Sequence, residues 1–332
     1  MTADLRDGGP VSGRDWDRAV ELISSADEIA LACHVSPDGD ALGSTLAVGL
    51  ALRAAGKRVT ASFGERRFRV PRLLRFLPGQ ELLAEPADYP AAPEVMITFD
   101  VPTVGRLGTL TDTTCKAREL IVVDHHPSNT GFGTVNLVDP GAAATAVLAE
   151  ELIDRLGLPI DQAIATCLYV GLVTDTGSFK HSSTTPEVHA MAARLVATGL
   201  NTEEIARELW DRSPFGYLKV LGAVLDRVRL EPEVGGGLVW TYVTRADRAA
   251  YGLPYDEVEG IIDVVRRTDE ADVTAVLKED DDGAWQVSTR SKGGVDVSRV
   301  CAALGGGGHA KAAGFTSHLP LEETIASLRA LL

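Results

Sequence analysis

Three short apolar runs in this chain end in acid or imidazole side chains, and that recurrence limits both fold and function. Ile29-Ala-Leu-Ala-Cys33 stops at His34, Val95-Met-Ile-Thr-Phe99 stops at Asp100, and Leu120-Ile-Val-Val123 stops at Asp124, His125 and His126. Runs of four or five continuous apolar residues read as strands buried on both faces of a parallel sheet. Helical patterns between them, such as Ala41 to Ala55 closed by Gly56, complete a β–α alternation. In such sheets ligands gather outside the carboxyl ends of the strands, so the three strand ends are expected to converge. A helix over Asp161 to Val173 runs into Thr174-Asp175-Thr176-Gly177-Ser178 and is expected to bring Asp175 to the same rim.

Two folded units are expected from 332 residues. A larger α/β domain is placed at 14–212, a connecting helix or linker at 213–234, and a smaller α/β domain at 235–332. The second domain reads as strands near Leu238 to Val243, Val273 to Lys278 and Trp285 to Arg290, with a helix near Tyr255 to Arg267. Residues 1–13 are rich in Gly, Asp and Pro and are expected to fray. Their acids stand where a secretory leader needs Lys or Arg, and no apolar run approaches membrane-spanning length, so a cytoplasmic protein without membrane contact is expected. Cys33, Cys115, Cys167 and Cys301 form no CxxC pair and read as four buried thiols. The net charge of −15 opposes binding of long nucleic acid.

His34-Val-Ser-Pro-Asp38-Gly-Asp40 puts one imidazole and two carboxylates on a single turn, and nothing in turn formation requires the histidine. With Asp100, the Asp124-His125-His126 triplet and Asp175, the set exceeds what one ion takes. Nitrogen and oxygen donors without thiolate suit Mn²⁺ first, with Mg²⁺ or Zn²⁺ as alternatives. Crowded carboxylates need neutralising, so two ions bridged by one carboxylate are expected, at a separation of roughly 3.5–4 Å suited to phosphoester hydrolysis. Taken singly, Asp38 or Asp100 reads equally well as a cap on the turn that follows. A second constellation is Gly305-Gly-Gly-Gly308-His309, preceded by Arg290-Ser291. Glycines let backbone N–H groups approach an anion, and a helix starting after them is expected to add its positive end. Arg66, Arg67, Arg69, Arg72 and Arg75 lie among Phe68, Leu73, Leu74 and Phe76, a spacing expected to flank the apolar face of a surface helix.

At these residues the chain resembles the DHH/DHHA1 phosphoesterases, and within them the bacterial nanoRNase and pAp phosphatase branch, which includes enzymes acting on linear and cyclic dinucleotides. The resemblance covers about residues 15–332. It implies an α/β fold, a parallel-sheet DHH domain plus a smaller DHHA1 domain, with the active site in the cleft between them. It further implies that His34, Asp38 and Asp100 hold one Mn²⁺ while Asp40, Asp100, His125 and Asp175 hold the other. His126 would stay off the metals and contact the scissile phosphate, and Asp124 would orient the ligand histidine. Arg290, Ser291, Gly306, Gly307, Gly308 and His309 would grip the substrate's other phosphate. The implied substrates are short oligoribonucleotides, pApA and pAp, with cyclic di-AMP as a further one, and the implied assembly is a homodimer. The alternatives are a manganese inorganic pyrophosphatase, a long-strand exonuclease, and a nucleotide sensor without turnover.

Overall fold

A strand with apolar side chains on both faces must be covered on both, and the N-terminal half of the chain is built around that demand. In the computed structural model, which describes residues 11–332, α1 (Gly13–Ser25) turns Trp16, Ala19, Leu22 and Ile23 inward. Residues 1–10 of the stretch expected to fray lie outside the described residues. Next come β1 (Glu28–Cys33), α2 (Gly39–Ala54), β2 (Arg58–Phe63), β3 (Val95–Phe99), α3 (Thr111–Lys116), β4 (Glu119–Asp124) and β5 (Val135–Val138). The five strands form one parallel sheet ordered β2-β1-β3-β4-β5. Alternation divides the core between the faces. Ile29, Leu31, Ile97 and Phe99 pack on one side, and Ala30, Ala32 and Met96 on the other. The three apolar runs are β1, β3 and β4, the strand expected over Lys57 to Phe63 is β2, and β5 is missed because Val135-Asn-Leu-Val138 is too short to show a period.

Four helices follow: α4 (Thr145–Arg155), α5 (Gln162–Asp175), α6 (Pro186–Ala197) and α7 (Thr202–Trp210). Every residue of α2 from Gly39 to Leu52 is buried, so this helix has neighbours on all sides. It lies against α5 through small residues: a Cβ added at Gly43 would stand 2.5 Å from the carbonyl oxygen of Cys167. That contact sets Asp40 of α2 beside Asp175 at the end of α5. Gly43→Ala is therefore expected to force the helices apart, costing about 1–3 kcal/mol in a urea melt and lowering activity through the displaced aspartates.

Residues up to Asp211 form one compact unit, and Arg212–Leu332 form a second. The second contains α8 (Phe215–Asp226), β6 (Arg229–Glu231), β7 (Leu238–Val243), α9 (Arg245–Ala249), α10 (Ile261–Val265), β8 (Val273–Glu279), β9 (Trp285–Ser291), α11 (Val297–Ala303), β10 (Gly307–His309), β11 (Ala312–Ser317) and α12 (Leu321–Arg329). Its sheet runs β10-β11-β9-β8-β7-β6, antiparallel except where β7 meets β8. Leu238 and Trp240 face one core, Val239 and Val243 the other.

Four expectations need correction. No helix begins after the glycines: α11 ends before them, Gly305 takes φ +81, and Gly307 to His309 pair as a hairpin with Ala312 to Gly314. The glycines serve close backbone approach there, which a helix would not permit. Glu65 to Arg75 is irregular apart from a 3-10 turn at Arg72–Leu74, because Pro71 lacks an N–H and biases Val70 away from helix. The helix expected at Tyr255 to Arg267 is a 3-10 turn (Tyr255–Val258) followed by the short α10. Of the four thiols, Cys115 is exposed, on the outward face of α3.

Candidate active site

The convergence expected at the carboxyl edge of the parallel sheet is present, with each group held by its own local cause. β1 delivers His34, which is buried. Its Nδ1 lies 2.7 Å from the Val35 carbonyl and 3.2 Å from Arg106 Nη2, so Nε2 is the atom turned inward. Nε2 stands 3.8 Å from Asp38 Oδ2 and 3.4 Å from Asp100 Oδ2. Asp38 caps α2, its Oδ1 accepting from the Asp40 and Ala41 N–H groups at 3.1 and 3.0 Å. The capping and the site-facing readings of Asp38 thus both hold, one for each oxygen.

Asp100 follows β3 with φ +61, a conformation that most residues avoid. Its N–H donates to the Val123 carbonyl, and Thr145 Oγ1 donates to its Oδ1 at 2.8 Å. Among the described residues, the other non-glycine residues at positive φ are Ser36, Ser178 and Phe179, in the loops bearing His34 and Asp175. Strain held in this way collects at functional sites.

Asp40, 1% exposed, accepts from the N–H groups of Thr145 at 2.6 Å and Ala146 at 2.8 Å, and from Ser44 Oγ at 3.2 Å. Those N–H groups open α4, whose own N-cap is Ala144, so Asp40 replaces the missing cap across more than a hundred residues of sequence. His125 turns Nδ1 towards the Ala142 carbonyl at 3.2 Å. Its Nε2 lies 3.9 Å from Asp40 Oδ2, 3.6 Å from Asp100 Oδ1 and 3.4 Å from Asp175 Oδ2.

Asp124, fully buried at the end of β4, organises its neighbours. Its Oδ1 accepts from the His125 N–H at 2.9 Å and lies 2.7 Å from His126 Nδ1, and Asn129 Nδ2 donates to its Oδ2 at 2.5 Å. Thr145, Ser44, Asn129 and Arg106 are the neighbours that sequence reasoning misses. One signal was available for Thr145: Ala142-Ala-Ala144 offers the following helix no cap, so its first N–H groups need a distant partner.

Burial and the neighbouring Asp100 carboxylate push Asp40 up to about 7, and burial with Asp40 pushes Asp175 well above the usual carboxylate range. Burial also works against ionised Asp100, but the hydrogen bond from His34 and the charge of His126 prevail and hold it low. Burial opposes protonation of the three imidazoles too. Asp100 raises His34 nonetheless, Asp40 raises His125, and Asp124 raises His126. Such crowding of carboxylates is what a cation relieves. The donor atoms of His34, Asp38 and Asp100 lie within 4.8 Å of one another, as do those of Asp40, His125 and Asp175. Their separations of 3.4–3.9 Å are long for hydrogen bonds yet near the edges of a coordination shell with bonds of about 2.0–2.2 Å. Imidazole and carboxylate without thiolate fit a divalent cation of the Mn²⁺ or Mg²⁺ kind.

In the second unit, Arg290 and Ser291 end β9, and Gly306 leads into β10 with Gly307, Gly308 and His309. Arg290 Nη1 donates to the Thr289 carbonyl, and burial lowers its affinity for the proton. The Ser291 hydroxyl donates to Asp272 Oδ2 at 3.1 Å and accepts from the Gly293 N–H at 2.9 Å, fixing the loop that follows. A Cβ at Gly306 would collide with the Gly314 carbonyl, so glycine there is a packing requirement.

Among the described residues no helix is long and apolar enough to cross a membrane. Residues 28–172 match the model of the DHH family N-terminal domain, and residues 238–332 match the DHHA1 domain. The chain is 34% identical over 315 residues to the bifunctional oligoribonuclease and PAP phosphatase NrnA of Thermus thermophilus, covering 93% of this chain and 91% of that one. It is 23% identical over 311 residues to the protein of the same name from Bacillus subtilis, covering 89% of this chain and 91% of that one. An exopolyphosphatase-related protein from Bacteroides fragilis shares the fold, with a TM-score of 0.87 at 24% identity over 97% of this chain and 96% of that one. With two family domains in their order and a relative at this identity across nearly its whole length, the chain belongs to the DHH/DHHA1 phosphoesterase family, hydrolases acting on phosphoester bonds.

Proposed function

We propose that this protein is a Mn²⁺-dependent phosphoesterase that cleaves short oligoribonucleotides and pApA to mononucleotides and pAp to AMP, with cyclic di-AMP as a further substrate. The observation that carries the reading is the division of Asp100: Oδ2 faces His34 Nε2 at 3.4 Å while Oδ1 faces His125 Nε2 at 3.6 Å. One carboxylate therefore belongs to two donor groups, as a bridge between two cations requires. In this reading His34, Asp38 and Asp100 hold one ion, and Asp40, Asp100, His125 and Asp175 hold the second. When bound, two such cations offset the carboxylate charge and polarise water and phosphoryl oxygens. Asp124 favours the doubly protonated form of His126, whose Nε2–H donates to an oxygen of the scissile phosphate. Arg290, Gly306, Gly307, Gly308 and His309 grip the substrate's other phosphate, and Ser291 keeps the adjoining loop in shape. The short substrates suit a chain of net charge −15 and accord with the names of the Thermus and Bacillus relatives. The protein acts in this reading as a cytoplasmic homodimer.

The test is nucleotide and phosphate release from pApA, pAp, cyclic di-AMP, a long RNA and pyrophosphate, each with Mn²⁺ and with EDTA. AMP is expected from the short nucleotides, with loss in EDTA and little release from long RNA. Turnover of pyrophosphate alone, or tight nucleotide binding without turnover, would overturn the reading.

A further inference from the structure

The arginine-rich stretch after β2 has no part in the chemistry above, and its placement gives it one. β2 ends at Phe63, so the chain leaves the sheet at the carboxyl edge that also carries His34, Asp100 and His125. Phe68 stacks on Phe63 with ring centroids 4.4 Å apart, and Val70 and Phe76 pack on the core. The backbone is thereby held while Arg66 and Arg69 stay exposed. Ser36, within the His34 to Asp40 turn, donates both its N–H and its hydroxyl to Glu65 Oε1, at 2.6 and 2.9 Å. Opposite, the Thr109 N–H donates to the Gly64 carbonyl at 3.0 Å. Between these two ties lies an open depression lined by Val35, Gly64, Glu65, Arg66, Gly108 and Thr109. Arg106 adjoins it, its carbonyl accepting from the Val35 N–H and its guanidinium beside His34.

In a chain of net charge −15, Arg66 lines this depression and Arg69 follows three residues on, on the loop that Glu65 ties to the His34 turn. Guanidinium forks match phosphate oxygens, and the long arginine stem lets the fork follow a flexible backbone. We infer that this depression, with Arg66 and Arg69, is a subsite for the phosphodiester of an oligoribonucleotide one or more positions beyond the scissile bond. The inference rests on the phosphoesterase reading above and gives the phosphates beyond the scissile bond of its longer substrates a place on the protein.

The test compares wild type with the double variant R66Q/R69Q on pApA and on a pentaribonucleotide, across a salt series, with thermal melts to confirm folding. The ratio of kcat/KM for the pentamer to that for pApA is expected to fall about tenfold, as loss of charge-assisted hydrogen bonds implies. The log–log salt slope for the pentamer is expected to flatten by about 1.4, for two phosphate contacts on a single strand. R66K/R69K should keep most of that slope. An unchanged ratio and slope, or an equal loss on both substrates, overturns the subsite. Wild type that releases nucleotide from neither substrate overturns the phosphoesterase reading itself, and the subsite with it.

Discussion

Asp100→Asn is expected to lower kcat/KM for pApA by on the order of a thousandfold, the equivalent of several kcal/mol of transition-state stabilisation. Asparagine has nearly the same size and tolerates the left-handed backbone that position 100 adopts at φ +61, so the β3 terminus should fold as before. Its side-chain oxygen can still accept from Thr145 Oγ1. What it cannot supply is a charged oxygen to each of His34 and His125 at once. A readout independent of turnover follows. Mn²⁺ should raise the melting temperature of the wild type, since a ligand binding only the folded state stabilises it by mass action, and the rise should shrink in the variant. Full activity in Asp100→Asn, or an undiminished melting shift, would remove the bridge from the assignment.

Asp124→Ala is the second large effect, and it should fall on stability as much as on rate. The carboxylate is fully buried and satisfies the His125 N–H, His126 Nδ1 and Asn129 Nδ2. Removing it leaves the His125 N–H and His126 Nδ1 without this acceptor, while Asn129 Nδ2 keeps the Val101 carbonyl, at about 1–3 kcal/mol for each buried group left unsatisfied. The imidazole of His126 also loses the partner that raises its proton affinity and fixes its ring. Partners of this kind typically contribute 10–100-fold when removed from metal or catalytic histidines. Denaturant melts should show a loss of at least about 2 kcal/mol, and kcat should fall by about the factor given. Asp124→Asn should recover part of the stability, because its amide oxygen can still accept, while leaving His126 without an anion. A wild-type kcat in Asp124→Asn would show that the charge at position 124 plays no part in positioning His126.

The pattern of these effects follows what is local in the chain and what is not. The strands ending at Cys33, Phe99 and Asp124 were legible because continuous apolar runs can be satisfied only inside a sheet, and topology then places their ends along one edge. The apolar pattern therefore sets the neighbourhood of His34, Asp100 and His125. The helix expected after the glycines failed because glycine permits a helix stop and a hairpin equally well, and only pairing with Ala312 to Gly314 chooses between them. The helix expected for the arginine stretch failed because the apolar spacing is real but serves Phe68 and Phe76 anchoring on the core, with Pro71 breaking any continuous turn. Asn129, Arg106 and Ser36 were illegible for another reason: each acts through a hydrogen bond to a residue whose nearness is decided by packing. The sequence alone thus determined the sheet, the chemical character of its rim and the family. Tertiary structure alone decided which oxygen of Asp100 faces which imidazole, that Asp40 caps a helix distant in the chain, and that Arg66 stands beside the His34 turn. Local apolar pattern is set by burial residue by residue, whereas partner choice depends on distances that exist only once α2, α4 and α5 have packed together.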